Sequence, residues 1–258
     1  MTTTATPPTD LQVPVGAPCW MDLVSSDPDA SAGFYTALFG WTVREVPELG
    51  GYRYFQHAGR DVGGLMANQD GWDLPDAWSV FLRVDDAAAT AAAARAHGGT
   101  VLVDPVEVAP NGSFVLVRDA GGAVVSGWQP GTESGFGVLY EAGSPTHFEL
   151  HTRAFDASVR FYREVFGWGE HVVDVPGFRY ATYADMSEPR AGIMDDAATG
   201  LAEQEPHWAV YLGADDVDAT VGRAVSLGAT VVTAPEDTPY GRLAVLRDPT
   251  GAEFRLQG

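Results

Sequence analysis

The side chains best suited to chemistry are three that alternate along one short segment, His147, Glu149 and His151. Residues two apart on a strand point to the same face, so a strand here would present two imidazoles and a carboxylate together. Such a set could bind a divalent metal ion, or it could move protons near neutral pH. It could equally be the polar lining of a half-buried strand, without any chemistry.

These residues belong to the second of two copies of one sequence unit. FYTALFGW at 34–41 returns as FYREVFGW at 161–168, 127 residues later. GYRY at 51–54 matches GFRY at 177–180, and VFLRVDD at 80–86 matches VYLGADD at 210–216, at nearly the same spacing. A stretch rich in Gly, Ser and Pro separates the copies, which is typical of a linker. The repeat predicts a flexible N-terminal tail at 1–16, a first domain at 17–130, a linker at 131–143 and a second domain at 144–258.

Each copy predicts the order strand, helix and further strands, twice over. WMDLV and HFELH alternate polar and apolar residues, as a half-buried strand does. Asp29 or Asp156 then stands where an N-cap would begin a helix. A second strand leads into another helix, for which Gly98 or Gly228 suits the C-terminal end. The remaining segments predict strands joined by turns at Asn111-Gly112, Gly121-Gly122 and residues 248–251.

Together these motifs resemble the vicinal oxygen chelate superfamily, in particular the tandem glyoxalase/bleomycin-resistance proteins of actinobacteria. The resemblance rests on the FYxxLFGW or FYxxVFGW motif, the VDD or ADD before the second helix, and the RDAGGA or RDPTGA turn. It implies an α+β fold of two tandem glyoxalase-like domains, each with two βαβββ modules that form a curved mixed or antiparallel sheet around a cleft. Members include isomerases, dioxygenases, thiol transferases and metal-free binding proteins, so the fold does not select the activity.

The resemblance also places the metal ligands of the family on this sequence. The first-strand ligand falls on Trp20 in the first domain and on His147 in the second. The ligand that opens the second module falls on Trp78 and Trp208. An indole offers an N–H donor and no lone pair for a metal ion, so these two positions are lost as ligands.

The carboxylate of the last strand is replaced as well. Its position falls on Ser126 in the first domain and on Arg255 in the second. A guanidinium there would repel a cation. We therefore expect no cofactor, with a divalent metal ion at His147 as the alternative.

Aromatic residues stand at several replaced positions. If the register holds, Trp20, Trp78 and Trp208 face the clefts and suit a flat, apolar ligand. The alternative is that they fill the core, which is our interpretation of Trp41 and Trp168. The predicted ligand-binding residues are Trp20, Asp22, Trp78, Asn111, Ser126, Trp208, Tyr240 and Arg255, the predicted catalytic residues are His147, Glu149 and His151, and no metal ligand is predicted. Arg53 beside Tyr54 and Arg179 beside Tyr180 are interpreted as a shared structural pair, and His57, His97, His171 and His207 are assigned no role.

Composition limits the partners. The 258 residues carry a formal net charge of −20, which disfavours nucleic acid and anionic membrane surfaces. A small hydrophobic or aromatic ligand remains, and we expect a monomer or homodimer. The start of the chain lacks a secretory signal, and the single Cys19 cannot form an internal disulfide, so the sequence favours the cytoplasm and a buried free thiol.

The sequence therefore predicts a metal-independent protein that binds a small hydrophobic or aromatic metabolite, in secondary-metabolite biosynthesis or self-resistance. One alternative is an isomerase, lyase, cyclase or dioxygenase that uses the second-domain cleft around His147 and Glu149. Another is an interaction protein whose clefts are filled by side chains. If there is chemistry, we place it in the second domain, because the first has Trp20, Asp22 and Val24 at the same strand positions.

Overall fold

The computed structural model describes residues 11, 13–69, 75–169, 171–184, 191–199 and 205–258. In the first half, the elements are β1 (Pro18–Ser25), α1 (Pro28–Phe39), β2 (Thr42–Val46), a short 3₁₀ helix (Pro47–Leu49), β3 (Tyr52–His57), β4 (Arg60–Ala67), β5 (Ala77–Arg83), α2 (Ala87–Ala96), β6 (Thr100–Val108), β7 (Gly112–Arg118) and β8 (Val124–Pro130). In the second half they are β9 (Pro145–Thr152), α3 (Phe155–Phe166), β10 (His171–Val175), β11 (Phe178–Thr182), β12 (Ala191–Asp195), α4 (Asp196–Thr199), β13 (His207–Gly213), α5 (Val217–Ser226), β14 (Thr230–Thr238), β15 (Gly241–Arg247) and β16 (Glu253–Gln257).

Each half forms one eight-stranded sheet with the same topology. The strand order is β2-β3-β4-β1-β5-β8-β7-β6 in the first sheet and β10-β11-β12-β9-β13-β16-β15-β14 in the second. The first strand of each module lies at the centre, where β1 pairs antiparallel with β5 and parallel with β4. This arrangement confirms the predicted α+β fold of two tandem curved sheets.

Alternation along the central strands separates a core face from a cleft face. On β1, Met21 and Leu23 are completely buried beneath the helices. Trp20 and Asp22 point to the opposite face, because neighbouring side chains on a strand alternate. On β9 the core face carries Phe148 and Leu150, and the cleft face carries the three candidate catalytic residues. We call the two faces the first cleft and the second cleft.

The two domains share one hydrophobic core, and each inserts its first helix against the other. Phe34 of α1 lies 5.9 Å from the Phe254 ring of the second domain. In return, the Tyr162 hydroxyl of α3 donates to Asp119 Oδ2 of the first domain at 3.0 Å. Buried residues of both halves form one continuous cluster. The FY and RD motifs of the repeat are thus explained by packing between domains.

Two predicted local features are wrong. The N-cap of α1 is Asp27, whose side chain accepts from Ala30 N, and α3 begins after Ala154. Asp29 and Asp156 instead lie in the first turn of each helix, where they pair with Arg53 and Arg179 at 2.7 and 2.6 Å. Each arginine therefore has a structural role, because it ties its strand to the first turn of the helix in the same half.

The segments outside the sheets are packed as well. In the predicted tail, Val13 is buried, and the Gly16 carbonyl accepts from Trp168 Nε1 at 3.0 Å. In the predicted linker, Phe136 is buried and its N–H donates to the Cys19 carbonyl at 2.9 Å. The remainder of the tail, 1–10 and 12, lies outside the described residues.

The sequence interpretation of two other residue types is confirmed. Trp41 and Trp168 are buried in the core, and Cys19 is a buried free thiol whose pKa is raised above its usual value by burial. Among the helices that the structure describes, none is long and apolar enough to cross a membrane.

Candidate functional site

The second cleft gathers polar side chains from three neighbouring strands. On β9, His147, Glu149 and His151 share the cleft face, because they alternate. The register of β13 sets Tyr211 opposite His147 and His207 opposite His151. The parallel strand β16 then places Arg255 beside Tyr211. The fold therefore brings the three predicted catalytic residues and Arg255 into one site.

Glu149 is the centre of this site. Its Oε1 accepts hydrogen bonds from the Tyr211 hydroxyl at 2.8 Å and from Arg255 Nη1 at 3.0 Å. Arg255 Nη1 also lies 2.6 Å from the Tyr211 oxygen. His151 Nε2 is 2.8 Å from the same Oε1, as an ion pair. Several donors therefore converge on one buried carboxylate oxygen.

Charge explains which protonation states these groups hold. Burial raises the pKa of Glu149, but His151, Arg255 and His147 together lower it far below its usual range. Burial lowers the pKa of His151, yet its bonds to Asp196 and Glu149 outweigh this and raise the pKa. Near neutral pH the site therefore contains a Glu149 anion beside the Arg255 cation. An anion held so firmly is a poor general base.

Contacts with neighbouring side chains hold the His151 ring in place and leave it little exposed to a ligand. Its Nδ1 lies 2.7 Å from Asp196 Oδ1, and its side chain is only 2% exposed. The ring stacks on His207, with centroids 5.0 Å apart and planes 7° apart. The sequence assigned no role to His207, whereas the structure stacks it on His151 in the second cleft. The period-two pattern of His207, Ala209 and Tyr211 could have placed it on the cleft face.

The pKa of His207 is shifted in the opposite direction from that of His151. Its Nδ1 contacts the Glu205 carbonyl at 2.9 Å, so we assign the proton to that nitrogen. Burial, followed by the nearby His151 charge, lowers the pKa of His207. The site thus stacks two imidazoles whose pKa values are shifted in opposite directions.

The solvent-accessible rim of the second cleft is aromatic. His147 is partly exposed, and its Nε2 lies 2.8 Å from the Tyr180 hydroxyl. Tyr180 stacks on Phe178 at 5.9 Å, and Phe178 stacks on Tyr240 at 6.5 Å. Tyr240 stands in the turn between β14 and β15 with 58% of its surface exposed. The predicted ligand residue Tyr240 therefore lies at the rim of the same cleft as His147.

The first cleft contains a simpler version of this arrangement. Asp22 Oδ1 accepts from Trp20 Nε1 at 2.9 Å and from the Tyr52 hydroxyl at 2.5 Å. Trp20 Nε1 is also 2.9 Å from the Tyr52 oxygen. Burial raises the pKa of Asp22 to about 6, although both hydrogen bonds act to lower it. The structure therefore brings the predicted residues Trp20 and Asp22 together with Tyr52, which the sequence missed.

Sheet register shows why Tyr52 was missed. In the first sheet, Arg53 of β3 pairs with Leu65 of β4, and Leu65 pairs with Leu23 of β1. In the second sheet, Ala181 of β11 pairs with Ile193 of β12, and Ile193 pairs with Leu150 of β9. Since Leu23 and Leu150 are equivalent in the repeat, Tyr52 occupies the place of Tyr180. The GYRY and GFRY motifs instead align Tyr54 with Tyr180. The structural equivalence of β3 and β11 is thus shifted by two residues from the alignment of the GYRY and GFRY motifs.

The predicted cleft positions of Trp78 and Trp208 are wrong. Trp78 lies opposite Leu23 and Trp208 opposite Leu150, so both are on the core face. Their indole nitrogens donate to the hydroxyls of Tyr35 and Tyr162, each at 2.9 Å. A slip of one residue moves a side chain to the other face of a sheet. The cleft positions next to these tryptophans are Ala77 and His207.

The remaining predicted ligand residues lie apart from each other. Ser126 is buried on the cleft face of β8, opposite Phe81, and it occupies the place of Arg255 in the second sheet. Asn111 lies in the turn between β6 and β7, where its carbonyl accepts from Gly131 N at 2.8 Å. Asn111 therefore fixes the chain that follows β8, and no bond from it reaches Asp22 among the described residues.

The donor sets of both clefts were compared with what a divalent ion needs. The first offers one carboxylate, Asp22, with no imidazole or second carboxylate beside it on the cleft positions of the described neighbouring strands. In the second, the Arg255 cation and His151 already occupy Glu149 Oε1. Within the described ranges, no cluster of three or more His, Cys, Asp or Glu side chains could hold a metal ion. The residues of these clefts do not fit the three-ligand site that a catalytic metal ion usually requires.

Comparison with known proteins places the chain. The family model of the glyoxalase/bleomycin resistance protein/dioxygenase superfamily matches residues 19–126, and the glyoxalase-like domain model matches 147–257. The chain is 37% identical over 256 residues to the anthracycline biosynthesis protein DnrV of Streptomyces peucetius, covering 93% of this chain and 92% of that protein. It is 32% identical over 248 residues to CFP32 of Mycobacterium tuberculosis, covering 93% of this chain and 94% of that protein.

Solved structures share the fold at low identity. The Mn(II)-bound glyoxalase from Novosphingobium aromaticivorans has a TM-score of 0.64 at 18% identity, covering 94% of this chain and 82% of that one. The 2,3-dioxygenase LapB from Pseudomonas sp. KL28 has a TM-score of 0.64 at 14% identity, covering 96% and 93%. The tandem sheets, the two matched domains and the full-length relatives agree, and the chain belongs to the glyoxalase/bleomycin resistance protein/dioxygenase superfamily.

Proposed function

We propose that the chain binds a small hydrophobic or aromatic metabolite in its second cleft and needs no metal ion to do so. The observation that carries this proposal is the contact of Arg255 Nη1 with Glu149 Oε1 at 3.0 Å. A metal ion bound to Glu149 would stand beside this cation, and two cations at such a distance repel strongly in a buried site. Arg255 thus supplies the positive charge that Glu149 requires.

The chemistry of the rim supports a flat ligand. Phe178, Tyr180 and Tyr240 present a row of rings, and Tyr240 is mostly exposed on the side away from the core. Aromatic rings stack favourably on conjugated systems, and hydroxyl or imidazole groups beside them can orient ligand oxygens. The kinship with an anthracycline biosynthesis protein supports an aromatic metabolite of that general class, handled in biosynthesis or self-resistance.

Binding of 1,8-dihydroxyanthraquinone tests the proposal. Tryptophan fluorescence and calorimetry would measure its affinity before and after dialysis against a chelator, with elemental analysis of both samples. We expect the same affinity in both, and less than one equivalent of divalent metal per chain. Loss of binding on chelation, recovered with one added divalent ion, would overturn the metal-independent site.

A matched pair of exposed tyrosines locates the ligand. Tyr240 is 58% exposed at the rim of the second cleft, and Tyr140 is 54% exposed in the segment between the domains. One aromatic pair contributes about 0.5–1.5 kcal/mol, so Tyr240→Ser should weaken binding by roughly 2- to 10-fold. Tyr140→Ser should leave it unchanged. Equal effects of the two substitutions would place the ligand elsewhere.

A second candidate function is an enzyme of the isomerase or lyase type that uses the same cleft. The observation that favours it is the partly exposed His147, whose Nε2 is 2.8 Å from the Tyr180 hydroxyl. Such a pair can pass a proton to or from a ligand carbon or oxygen. Glu149 would then position the site rather than exchange protons, because its pKa is held far below neutrality by His151 and Arg255 against burial.

Deuterium exchange at the C–H next to the carbonyl of 1-indanone tests this candidate by NMR. If His147 is the base, His147→Ala should slow protein-catalysed exchange by about 10²-fold. His97→Ala removes an exposed imidazole of the first domain and serves as the control. Absence of catalysed exchange by the unchanged protein, with binding retained, would leave ligand binding as the function.

A further inference from the structure

The first cleft contains a buried carboxyl group without a cation. Asp22 is 8% exposed, and its partners among the described residues, Trp20 and Tyr52, are both neutral donors. Both donate to Oδ1. Oδ2 makes no hydrogen bond to the described residues. Because Asp22 lies on the cleft face of β1, Oδ2 is the oxygen that is left for a ligand.

In the second cleft, the equivalent carboxylate, Glu149, has a cation beside it. There, Arg255 and Tyr211 stand at the positions that Ser126 and Phe81 occupy in the first sheet. Arg255 contacts Glu149 Oε1 at 3.0 Å, whereas the Ser126 side chain has no charge to offer Asp22. A carboxylate buried without a cation carries a large desolvation cost. A ligand that brings its own positive charge would remove that cost.

We propose that the first cleft is a second binding site, which takes a protonated amine attached to an aromatic or apolar body. The ammonium group would donate to Asp22 Oδ2, while Oδ1 stays bound to Trp20 and Tyr52. The apolar body would contact the partly exposed Trp20 ring and the neighbouring Tyr54, whose centroids lie 5.7 Å apart. Aromatic faces favour a cation electrostatically, so both parts of the site select the same ligand class.

The other charged groups near the cleft leave this selection intact. Arg44 lies over the Tyr54 ring at 4.1 Å and pairs with Asp61 at 3.5 Å, so its charge is already engaged. Burial is the main cause that raises the pKa of Tyr54, and the nearby Glu133 and Asp61 carboxylates raise it further against Arg44. The residues paired with Asp22 are Gly64 on β4 and Ser79 on β5, and neither has an ionisable group.

Gly64 shows how close the groups of this site lie. A Cβ atom built on Gly64 would meet the Tyr52 hydroxyl and Asp22 Oδ1 at impossibly short distances. Gly192 has the same relation to Tyr180 in the second sheet. The glycine permits the tyrosine hydroxyl to reach the carboxylate, and this contact directs Oδ1 away from the ligand. The arrangement therefore leaves Oδ2 as the atom available to an amine.

The test compares 2-naphthylmethylamine with the uncharged 2-naphthylmethanol by calorimetry. At about pH 8 the carboxyl of Asp22 is ionised, and we expect the amine to bind roughly tenfold or more tightly than the alcohol. The pKa of Asp22 is raised to about 6, so the preference for the amine should fall as the pH drops through this value. Amine binding near this pH should release protons, because the ammonium favours the ionised carboxyl.

Variants identify the carboxyl responsible. Asp22→Asn keeps an oxygen for Trp20 and Tyr52 but should abolish the preference for the amine. Asp85→Asn removes a charge from a carboxylate that is 74% exposed in the same domain, and the preference should remain. If Asp22→Asn does not fold, Tyr52→Phe still tests the site. Loss of the Tyr52 hydroxyl removes a hydrogen bond that lowers the pKa of Asp22, so the midpoint of amine binding should move to higher pH.

Several results would overturn the proposal. They are equal affinity for the amine and the alcohol at about pH 8, no binding of the amine, or an amine preference that survives in Asp22→Asn. In Tyr52→Phe, an unshifted midpoint would also contradict it. The proposal is independent of the second cleft, because neither probe requires the anthraquinone site to exist.

Discussion

Replacing Arg255 with glutamine removes the cation that compensates Glu149. Arg255 Nη1 donates to Glu149 Oε1 at 3.0 Å and lies 2.6 Å from the Tyr211 hydroxyl. The two charged side chains are only 12% and 8% exposed, so solvent screens them weakly. Removing one partner of such a buried pair costs about 3–5 kcal/mol. His151 remains 2.8 Å from Glu149, so we expect the lower end of this range, about 3 kcal/mol.

Thermal and urea unfolding at neutral pH measure this loss. For a chain of this size, about 3 kcal/mol corresponds to a decrease in Tm of roughly 6 to 12 °C. The control is Arg242→Gln, which removes a guanidinium that is 34% exposed and also pairs with two carboxylates, Asp218 and Asp237. Because solvent screens that group, its loss should change the Tm little.

The double variant separates charge compensation from packing. If Arg255 acts by balancing Glu149, removing both charges in Glu149→Gln/Arg255→Gln should cost less than the two single losses added together. The pH adds a further check. His151 has a raised pKa, and its stabilising charge is present at low pH and lost as the pH rises through that pKa. Arg255→Gln should therefore lose most stability at alkaline pH, and a variant as stable as Arg242→Gln would refute the reasoning.

Three further predictions concern the first cleft and the core. The pKa of Asp22 is raised to about 6, so protonated Asp22 stabilises the fold at low pH and this contribution is lost as the pH rises through about 6. Asp22→Asn should accordingly gain about 2–3 kcal/mol relative to the unchanged protein between about pH 4 and pH 8, measured by urea unfolding at both. Trp208→Ala should cost about 3–5 kcal/mol of unfolding free energy, because the indole is a core residue, while anthraquinone affinity in the folded fraction should remain; a loss of affinity alone would return Trp208 to the cleft. Tyr162→Phe removes the bond to Asp119 across the domain boundary and should cost about 1–3 kcal/mol, with a matching rise in hydrogen exchange at the 119–123 turn.

Sequence periodicity determined much of this protein. The repeat of FYTALFGW as FYREVFGW fixed the two domains, and alternation in WMDLV and HFELH fixed the cleft face of the two central strands. These features are readable because a strand alternates its side chains whatever its neighbours are. The equivalence of Ser126 and Arg255 was also readable, since a turn motif close in sequence set the position of each.

Tertiary structure decided which residues meet. The sequence placed Trp78 and Trp208 on the cleft face, and the sheet register places them one residue away, on the core face. It aligned Tyr54 with Tyr180, whereas pairing with the neighbouring strands puts Tyr52 there. Register between strands depends on pairing partners distant along the chain, so a motif comparison within one strand does not contain it.

Charge was decided in the same way. The sequence shows Asp22 and Glu149 as equivalent acids, but the surroundings give them opposite pKa shifts. Arg255 lies 106 positions beyond Glu149 in the chain, and only the fold brings the two within 3.0 Å. The position equivalent to Arg255 in the first sheet is Ser126, so within the described ranges burial acts on Asp22 without a compensating cation. Residue types were written in the sequence, but their ionisation depends on solvent access and charges that only the folded chain brings together.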